Sequence, residues 1–439
     1  MAREPRVVII GGGFAGLYAA RALARSRVRV TVLDRRNHHV FQPLLYQVAT
    51  CALTAPDIAA PIRKILDRQR NATVLLAEAL SVDTLSKKVR TAGGDVEYDF
   101  LVVATGATHA YFGHDEWAEH APGLKTIEDA FRIRHKVLLA YEAAERETDP
   151  ERRSSPLTFV VVGGGPTGVE LAGALKEIAV HTLRHDFRNF DPGSARVVLL
   201  EAGPRILSAM PDDVSQAGRD QLAGLGVEIR TGAKVTGIDE RGVAIGDELI
   251  PATLVLWAAG VRASPIAATL GVPLDAAGRV VVEPDLSIPG HSEVFVVGDL
   301  AHFEQDGALV PGMCPAAVQM GIHAAKTIER ELAGAEHRRP FRYWDKGTMA
   351  TMGRKKAVAV VGRVHLSGFI AWLTWLFVHI LYLIGFRNRV VVMLEWSWAY
   401  FTSQRSARLI LTEDMTSGSG LSRKSGSDLD RLGPSTGSG

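Results

Sequence analysis

Cysteine is nearly absent from this chain of 439 residues, which carries only Cys51 and Cys314. No CxxC or CxxxxC spacing occurs, which argues against a disulfide scaffold and against a reductase that works through a dithiol. The sequence also lacks a metal-ligand cluster and a nucleophile triad, so we expect no metal site. Because an apolar strand follows the first few residues without a charged n-region and an apolar h-region, we predict no secretory signal and cytoplasmic catalytic domains.

Acidic residues are scarce between Arg354 and Arg408, where eight basic residues accompany the single acid Glu395. This stretch carries a net charge of +7 in a chain of +2, which leaves −5 for the remainder. Within it, residues 364–386 form a run of 23 residues without Lys, Arg, Asp or Glu. As a helix the run could cross a bilayer core of roughly 30 Å. A transmembrane helix, an interfacial helix and a buried helix of a soluble core remain open.

An aromatic stripe in this run favours the interfacial interpretation. At helical spacing one face carries Trp372, Trp375, His379, Tyr382 and Phe386. A spanning helix more often places such residues at its two ends. We therefore predict a monotopic attachment to the cytoplasmic side of the cell inner membrane, with lipid headgroups neutralising the arginines. The alternative is that the stripe is only a packing face.

Glycine, in contrast, is abundant at 43 residues, and two glycine-rich turns share one pattern. GGGFAG spans Gly11 to Gly16 and GGGPTG spans Gly163 to Gly168; each follows an apolar strand and opens a helix. Such a junction binds pyrophosphate, because the helix N-terminus offers free N–H groups and glycines let the backbone come close. The chain is therefore predicted to be an α/β protein with two Rossmann-like dinucleotide-binding domains.

An acidic residue closes the second strand after each turn. Asp34 lies 23 residues after Gly11, and Glu201 lies 38 residues after Gly163; roughly 20 is expected for an acid that binds the ribose. We attribute the longer spacing to an inserted helical stretch, residues 180–194. A carboxylate disfavours a 2′-phosphate, which predicts NADH rather than NADPH. Surface acids that merely follow a strand are the alternative.

Three further strand ends carry glycine, namely LVVATG, LVLWAAG and VFVVGD. In flavoproteins with two dinucleotides the first glycine turn holds FAD, and a later Gly-Asp strand end returns to the flavin. We therefore assign FAD to the first turn and NADH to the second, and we expect Asp299 to accept a hydrogen bond from the ribityl chain. The predicted cofactor-binding residues are Gly11, Gly13, Phe14, Ala15, Gly16, Asp34, Gln42, Ala104, Thr105, Gly106, Gly163, Gly165, Thr167, Gly168, Glu170, Glu201, Ala259, Gly260, Gly298, Asp299 and Gln319.

Over residues 5–410 the chain resembles the type II NADH:quinone oxidoreductases. The resemblance is carried by GGGFAGL, HHVFQPLLYQVAT, GGGPTGVELAG, LLEAGPRIL, WAAGVRASP, FVVGDLA, DKGTMATMGR and HILYLIGFRNR. It implies non-covalent FAD, NADH as substrate, and transfer of electrons to a membrane quinone, ubiquinone or menaquinone, without proton pumping. It also implies C-terminal helices attached to the lipid bilayer and a homodimer; no nucleic-acid partner is expected.

The resemblance places Glu170 beside flavin and nicotinamide, as a candidate catalytic residue for proton handling or nicotinamide contact. Thr167 to Glu170 also fits a capping box, which is the structural alternative. For the quinone side the family usually carries AQxAxQ. The corresponding CPAAVQ keeps Gln319, the second predicted catalytic residue, but has Pro315 in place of the first glutamine. The shape of the quinone site therefore stays open, and a helix-surface role for Gln319 is the alternative.

The predicted domain order is an FAD domain over residues 1–123, an NADH domain with linking helices over 124–286, the rest of the FAD domain over 287–341, a membrane module over 342–412 and a disordered tail over 413–439. Other functions with the same folds are a sulfide:quinone reductase, a flavoprotein reductase with a soluble acceptor, and an NADH-sensing flavoprotein without significant turnover. The first depends on reactive cysteines, which two isolated cysteines support poorly.

Overall fold

The structure is a computed structural model that describes residues 3–149, 157–383, 386–402 and 407–410. Contacts divide the chain after Arg408. The account below concerns residues 1–408; of the second unit only Leu409 and Ile410 are described. The predicted tail over 413–439 lies outside the described residues.

The first sheet has six strands and combines residues from both ends of the FAD region predicted above. Its strands run in the spatial order Ser287–Ile288, His291–Val296, Phe100–Val103, Arg6–Ile10, Arg29–Asp34 and Ala72–Leu76. Only the first pair is antiparallel. Apart from Arg6, the two central strands consist of Val, Ile, Leu and Phe residues with buried side chains, as a parallel sheet covered on both faces requires.

Helix Phe14–Ala22 leaves the first glycine turn, and helix Cys314–Leu332 packs against it. The two helices touch closely, because a β-carbon on Gly321 would lie 2.1 Å from the carbonyl oxygen of Ala15. This contact places the helix that carries Gln319 next to the first glycine turn.

The second sheet is entirely parallel and has four strands. They run in the order Val227–Thr231, Arg196–Glu201, Thr158–Val162 and Leu254–Trp257. Helices Pro166–Glu177 and Asp212–Ala223 connect them. The inserted stretch before Arg196 contains a π-helical turn, Ile178–Thr182, and a 3₁₀ turn, Pro192–Ser194, in place of the longer helix expected. The α/β prediction is confirmed.

Two connections join the halves of the molecule. Strand Ala107–His109 pairs antiparallel with strand Val261–Ala263. Helix Ile127–Arg146 begins at a capping box, in which the Asp129 N–H donates to Thr126 Oγ1 at 3.1 Å and Asp129 accepts from the Thr126 N–H at 3.0 Å. Shorter elements complete this part: strands His38–Val40, Ala59–Pro61, Ala79–Asp83, Lys88–Thr91, Gly94–Glu97, Gly237–Asp239, Gly242–Ile245, Glu248–Pro251, Val280–Val281, Ala301–His302, Glu304–Gln305 and Ala308–Leu309, and helices Leu45–Ala49, Ala55–Ile58 and Ile62–Ile65.

The C-terminal part begins with an antiparallel sheet of strands Thr348–Gly353, Lys356–Val361 and Val364–Ser367. Helices Gly368–Tyr382 and Phe386–Thr402 follow. The uncharged run of 23 residues is therefore not one helix, because its first four residues form a strand and its helix has 15 residues. In the ranges that the structure describes, no helix is long and apolar enough to span a bilayer.

Helix Gly368–Tyr382 turns the middle of the predicted aromatic stripe inward. Trp375 is only 3% exposed and His379 only 9%. Tyr382, at the end of the stripe, is 40% exposed, and the other exposed apolar side chains lie on another face of the helix: Phe369, Ile370, Leu373, Phe377 and Leu381. For Trp375 and His379 the packing-face alternative is therefore correct, and the interfacial interpretation of these two residues is wrong. The side chain of Phe386 lies outside the described residues.

Candidate active site

The first glycine turn needs glycine for two physical reasons. Gly11 has a φ of +101°, and a β-carbon there would lie 2.4 Å from the Ala104 carbonyl oxygen. A β-carbon on Gly16 would lie 1.9 Å from the Gly11 carbonyl oxygen, so only glycine lets the helix start this close to the strand. Gly13, in contrast, is exposed and has open space around it. The turn therefore offers bare backbone to a ligand at Gly13.

Polar groups at this edge of the first sheet fit the sugar and phosphate groups of a dinucleotide. Asp34 accepts from the N–H groups of Gly12 at 2.6 Å and Arg36 at 2.7 Å, which fixes its carboxylate and leaves lone pairs for a ribose. The Thr105 hydroxyl is buried without a hydrogen-bond partner among the described residues. A hydroxyl left unpaired in this place is satisfied by a polar ligand.

His39 belongs to the same edge and was not among the predicted residues. Its Nδ1 donates to the Gly12 carbonyl oxygen at 3.0 Å, and its ring packs edge-on against Phe14 with 4.9 Å between centroids. Burial lowers the pKa of His39 to about 4, so the ring is neutral and Nε2 is an acceptor, with no partner in the described residues. In the sequence, the second histidine of HHVF is the feature that could have indicated this role of His39.

The second glycine turn repeats the first almost group for group. Gly163 has a φ of +111°, and a β-carbon on Gly168 would lie 1.8 Å from the Gly163 carbonyl oxygen. Glu201 accepts from the N–H groups of Gly164 and Gly203, both at 2.6 Å. The long spacing thus still delivers a carboxylate to the position that Asp34 has in the first turn. No ion pair engages Glu201 in the described part of the chain, so its charge disfavours a 2′-phosphate.

A cavity of ≈ 290 Å³ lies between the two halves of the molecule and brings predicted residues of both halves together. Thr167 and Gly260 line it from the second half and Asp299 from the first. Lys125 Nζ stands 4.0 Å from Asp299 Oδ2, and Gln42 Nε2 donates to the Lys125 carbonyl oxygen at 3.1 Å. The remaining predicted residues frame these positions: Ala15 is buried at the helix start, Ala104 and Gly106 follow the strand Phe100–Val103, Gly165 is open, Ala259 is half-buried, and Gly298 has a φ of +72°.

Glu170 lies in helix Pro166–Glu177 behind the second turn. The Thr351 N–H donates to Glu170 Oε1 at a long 3.4 Å. Burial raises the pKa of Glu170 to about 8, and donors from Thr351 and Trp375 only partly offset the rise. The capping-box interpretation is wrong, because the helix is capped by Gly165 without a side-chain hydrogen bond.

An aromatic cluster from the C-terminal helices adjoins Glu170. Trp375 stacks on His379 with 4.4 Å between ring centroids and stands 5.4 Å from Trp396. Trp396 Nε1 donates to Gln47 Oε1 at 2.8 Å, and Gln47 Nε2 donates to the Tyr46 hydroxyl at 3.0 Å. The C-terminal helices thus contribute side chains to the interior. Sequence reasoning placed Trp375 in a membrane interface and missed this role.

Gln319 uses both ends of its amide on the backbone of Trp344. Its Nε2 donates to the Trp344 carbonyl oxygen at 3.0 Å, and its Oε1 accepts from the Trp344 N–H at 2.9 Å. Pro315 lies in the first turn of helix Cys314–Leu332, where the missing N–H costs nothing. A quinone contact by Gln319 stays a prediction.

The two cysteines do not form a reactive centre. Cys51 is buried, and neither cysteine forms a disulfide within the described residues. Burial is the main cause that raises the pKa of Cys314 to about 12, so its thiolate is scarce at neutral pH. Among the described residues there is no group of three His, Cys, Asp or Glu side chains that could hold a metal ion.

Residues 5–321 match the profile of the pyridine nucleotide-disulphide oxidoreductases. The type II NADH:quinone oxidoreductase Ndh of Mycobacterium tuberculosis (strain ATCC 25618 / H37Rv) is 47% identical over 94% of this chain and 91% of its own. The type II NADH:quinone oxidoreductase of Staphylococcus haemolyticus (strain JCSC1435) is 30% identical over 83% of this chain and 91% of its own.

Two solved structures share the fold. NDH2 from Plasmodium falciparum, solved in complex with NADH, superposes with a TM-score of 0.84 at 17% identity and covers 93% of this chain and 100% of its own. The sulfide:quinone oxidoreductase from Aquifex aeolicus gives 0.73 at 19% identity, over 90% of this chain and 95% of its own. At such low identities these two structures show the fold alone. The choice between an NADH:quinone and a sulfide:quinone oxidoreductase therefore depends on the sequence relatives.

The paired glycine turns, their carboxylates and the cavity between the halves of the molecule define a pyridine nucleotide-disulphide oxidoreductase with two dinucleotide-binding halves. Within this class, the chain belongs to the type II NADH:quinone oxidoreductase family. The predicted family is confirmed.

Proposed function

We propose that this protein transfers two electrons from NADH through non-covalent FAD to a membrane quinone, without moving protons across the membrane. The observation that carries the proposal is the pair of equivalent glycine turns on either side of one cavity. Thr167 of the second turn lines that cavity together with Asp299. Next to Asp299, Gly298 packs against Ala15, in the helix of the first turn.

FAD is held at the first turn by the backbone around Gly13, with Asp34 on the ribose and Asp299 on the ribityl chain. NADH lies at the second turn, where the backbone around Gly165 binds pyrophosphate and Glu201 binds the ribose. FAD, when bound, accepts hydride from NADH and passes two electrons to the quinone. The protein binds and orients both substrates.

Glu170 supplies a proton to the quinone. NADH brings two electrons and one proton, and the quinone takes up two of each, so one proton comes from solvent. Glu170 carries a proton over much of the neutral range, because burial raises its pKa to about 8. The carboxyl O–H bond breaks, the proton goes to a quinone oxygen, and the carboxylate regains a proton from solvent.

The protein attaches to the membrane surface through the C-terminal helices. Support comes from the exposed apolar face of helix Gly368–Tyr382 and from Met393 and Leu394 on the next helix, which are 47% and 60% exposed. Arg363 is exposed beside this face, where it can meet anionic headgroups. This face replaces the aromatic stripe as the lipid-contacting surface.

A matched pair of leucines tests the attachment. Leu373, on the apolar face, is 45% exposed, and Leu85, on a distant loop, is 87% exposed. Leu373→Lys should reduce co-sedimentation with anionic vesicles several-fold, whereas Leu85→Lys should leave it unchanged. Equal binding by both variants would refute the face as the attachment site. Light scattering of detergent-purified protein tests the proposed homodimer.

The function is tested by detecting flavin in the purified protein and measuring NADH oxidation with ubiquinone and menaquinone analogues. We expect flavin-bound protein to consume NADH only slowly until a quinone is added. Glu170→Gln should slow quinone reduction and spare reduction of ferricyanide, which needs no proton. Flavin-bound protein that ignores every quinone would instead be a sensor or use another acceptor. Loss of activity in Cys51→Ser with Cys314→Ser would favour cysteine chemistry.

A further inference from the structure

Trp375 and Trp396 are neighbours, but only the indole N–H of Trp396 has a hydrogen-bond partner among the described residues. Their ring centroids are 5.4 Å apart. Trp396 Nε1 donates to Gln47 Oε1 at 2.8 Å. Trp375 Nε1 is buried and has no hydrogen-bond partner within the described ranges. Unpaired buried donors destabilise the folded state, so one that persists in a candidate active site points to a partner that forms during function.

The Trp375 ring is fixed in its position. It is 3% exposed and stacks on His379 with 4.4 Å between centroids at an angle of 27°. His379 Nδ1 donates to the Trp375 carbonyl oxygen at 2.7 Å, which locks the two side chains together on one helix. The indole N–H therefore cannot turn away to find another acceptor.

The Trp375 helix packs against strand Thr348–Gly353, which in turn packs against the Glu170 helix. The Glu170 carboxyl lies beside the Trp375 side chain, which lowers its pKa. The other donor to the carboxyl, the Thr351 N–H, stands at 3.4 Å from Oε1. N–H···O hydrogen bonds in proteins are usually about 2.7–3.2 Å long. Two donors that surround the carboxyl without a short bond suit a neutral group and can tighten when it becomes charged.

Among the described residues, no charged side chain is a cause of the pKa shift of Glu170. Burial and the two donors are the causes that shift the pKa of Glu170. The titratable side chains on the Trp375 helix are Tyr382, which is 40% exposed at the helix end, and His379, which is neutral because burial lowers its pKa to about 4. Helix Leu45–Ala49 also packs against the Glu170 helix and contributes Tyr46, whose hydroxyl accepts from Gln47. Strand Thr348–Gly353 contributes no titratable side chain.

We propose that Trp375 is a positioning residue of the proton-transfer step, whose indole N–H completes with the Thr351 N–H a two-donor seat for the carboxylate of Glu170. The inference rests on the proposed function. When the quinone takes two electrons, the O–H bond of Glu170 breaks and its proton moves to a quinone oxygen. The negative charge left on Glu170 is then met by both donors, and solvent returns the proton afterwards.

The test compares Trp375→Phe with Trp396→Phe in the full-length holoenzyme, by following kcat for a short-chain quinone between pH 5.5 and 9.5. Removal of a donor to the charged form raises the pKa of the acid. In Trp375→Phe, the fall of kcat at high pH, the alkaline limb of the profile, should therefore lie about one pH unit higher than in wild type. The value of kcat at neutral pH should be lower. The matched control Trp396→Phe should keep the wild-type limb, because its lost bond goes to Gln47. Identical limbs in all three proteins would overturn the inference.

A second measurement separates failure of the inference from failure of the function. If the wild-type protein reduces ferricyanide but no quinone, the quinone step of the proposed function is wrong. The inference is then tested by an infrared titration that follows the band of the protonated Glu170 carboxyl. The band is assigned to Glu170 because it should be missing in Glu170→Gln. A higher pKa in Trp375→Phe than in wild type and Trp396→Phe supports the two-donor seat. Equal pKa values in that titration overturn it.

Discussion

Gly173 approaches Met352 so closely that a β-carbon on Gly173 would lie 1.9 Å from the Met352 carbonyl oxygen. Helix Pro166–Glu177 and strand Thr348–Gly353 therefore touch backbone to backbone. This contact is what brings the Thr351 N–H to Glu170. The C-terminal segment thus contributes directly to the candidate proton-transfer site.

Gly173→Ala should force this helix and strand apart. Overpacking of this kind typically costs about 1–3 kcal/mol. We expect a lower melting temperature and a several-fold loss of quinone reduction, because Thr351 moves away from Glu170; ferricyanide reduction per bound flavin should fall less. The control is Gly237→Ala, since a β-carbon there would meet only Ala244 Cβ at an ordinary 3.5 Å. Melting of Gly173→Ala at the temperature of this control would contradict the backbone contact.

Glu201→Gln should weaken the preference for NADH. The substitution keeps the size of the side chain but removes the charge and one of the two acceptors used by Gly164 and Gly203. We expect kcat/KM for NADH to fall about tenfold, which corresponds to about 1.4 kcal/mol. The ratio of NADH to NADPH use should fall as well, because the repulsion of a 2′-phosphate is gone. Asp34→Asn is the comparison: it should weaken FAD retention and leave that ratio unchanged.

Both glycine turns and the acid beside each turn are predictable from sequence, because this backbone geometry leaves a local signature. Gly11 and Gly163 need positive φ, and each acid is the last residue of a strand in the same sheet as its turn. The inward position of Trp375 leaves no such signature. Helix Gly368–Tyr382 is apolar all round, so no polar face marks which side meets solvent, and the choice depends on contacts with residues 200 or more positions away in the chain, such as Glu170.

Gln319 allows a direct comparison of structural and catalytic roles, because Gln305 makes the same pair of hydrogen bonds to Tyr343, the residue before Trp344. Gln305 Nε2 donates to the Tyr343 carbonyl oxygen at 3.2 Å and its Oε1 accepts from the Tyr343 N–H at 2.8 Å. Gln319 holds Trp344 in the same way. Replacement of either glutamine by leucine should reduce the free energy of unfolding by about 1–3 kcal/mol.

Only Gln319→Leu should also raise KM for the quinone, if Gln319 reaches the quinone site as the family motif predicts. The measurements are urea unfolding for both variants and steady-state kinetics with a quinone analogue. If both variants lose the same stability and have the same KM for the quinone, Gln319 has only a structural role, in holding the backbone of Trp344. An unchanged stability of Gln319→Leu would contradict the double hydrogen bond itself.

His379 should make the protein less stable in mild acid. Its folded pKa of about 4 lies below the ordinary 6.5, so below pH 6.5 the unfolded chain binds a proton that the buried ring does not. The contribution is fully present above pH 6.5 and is lost as the pH falls toward 4, at about 1.4 kcal/mol per unit, or roughly 2 kcal/mol at pH 5. His379→Phe should therefore flatten the decline in unfolding free energy between pH 7 and pH 5. The exposed His337→Gln is the control, and an unchanged slope in His379→Phe would show that the ring is not buried in its neutral form.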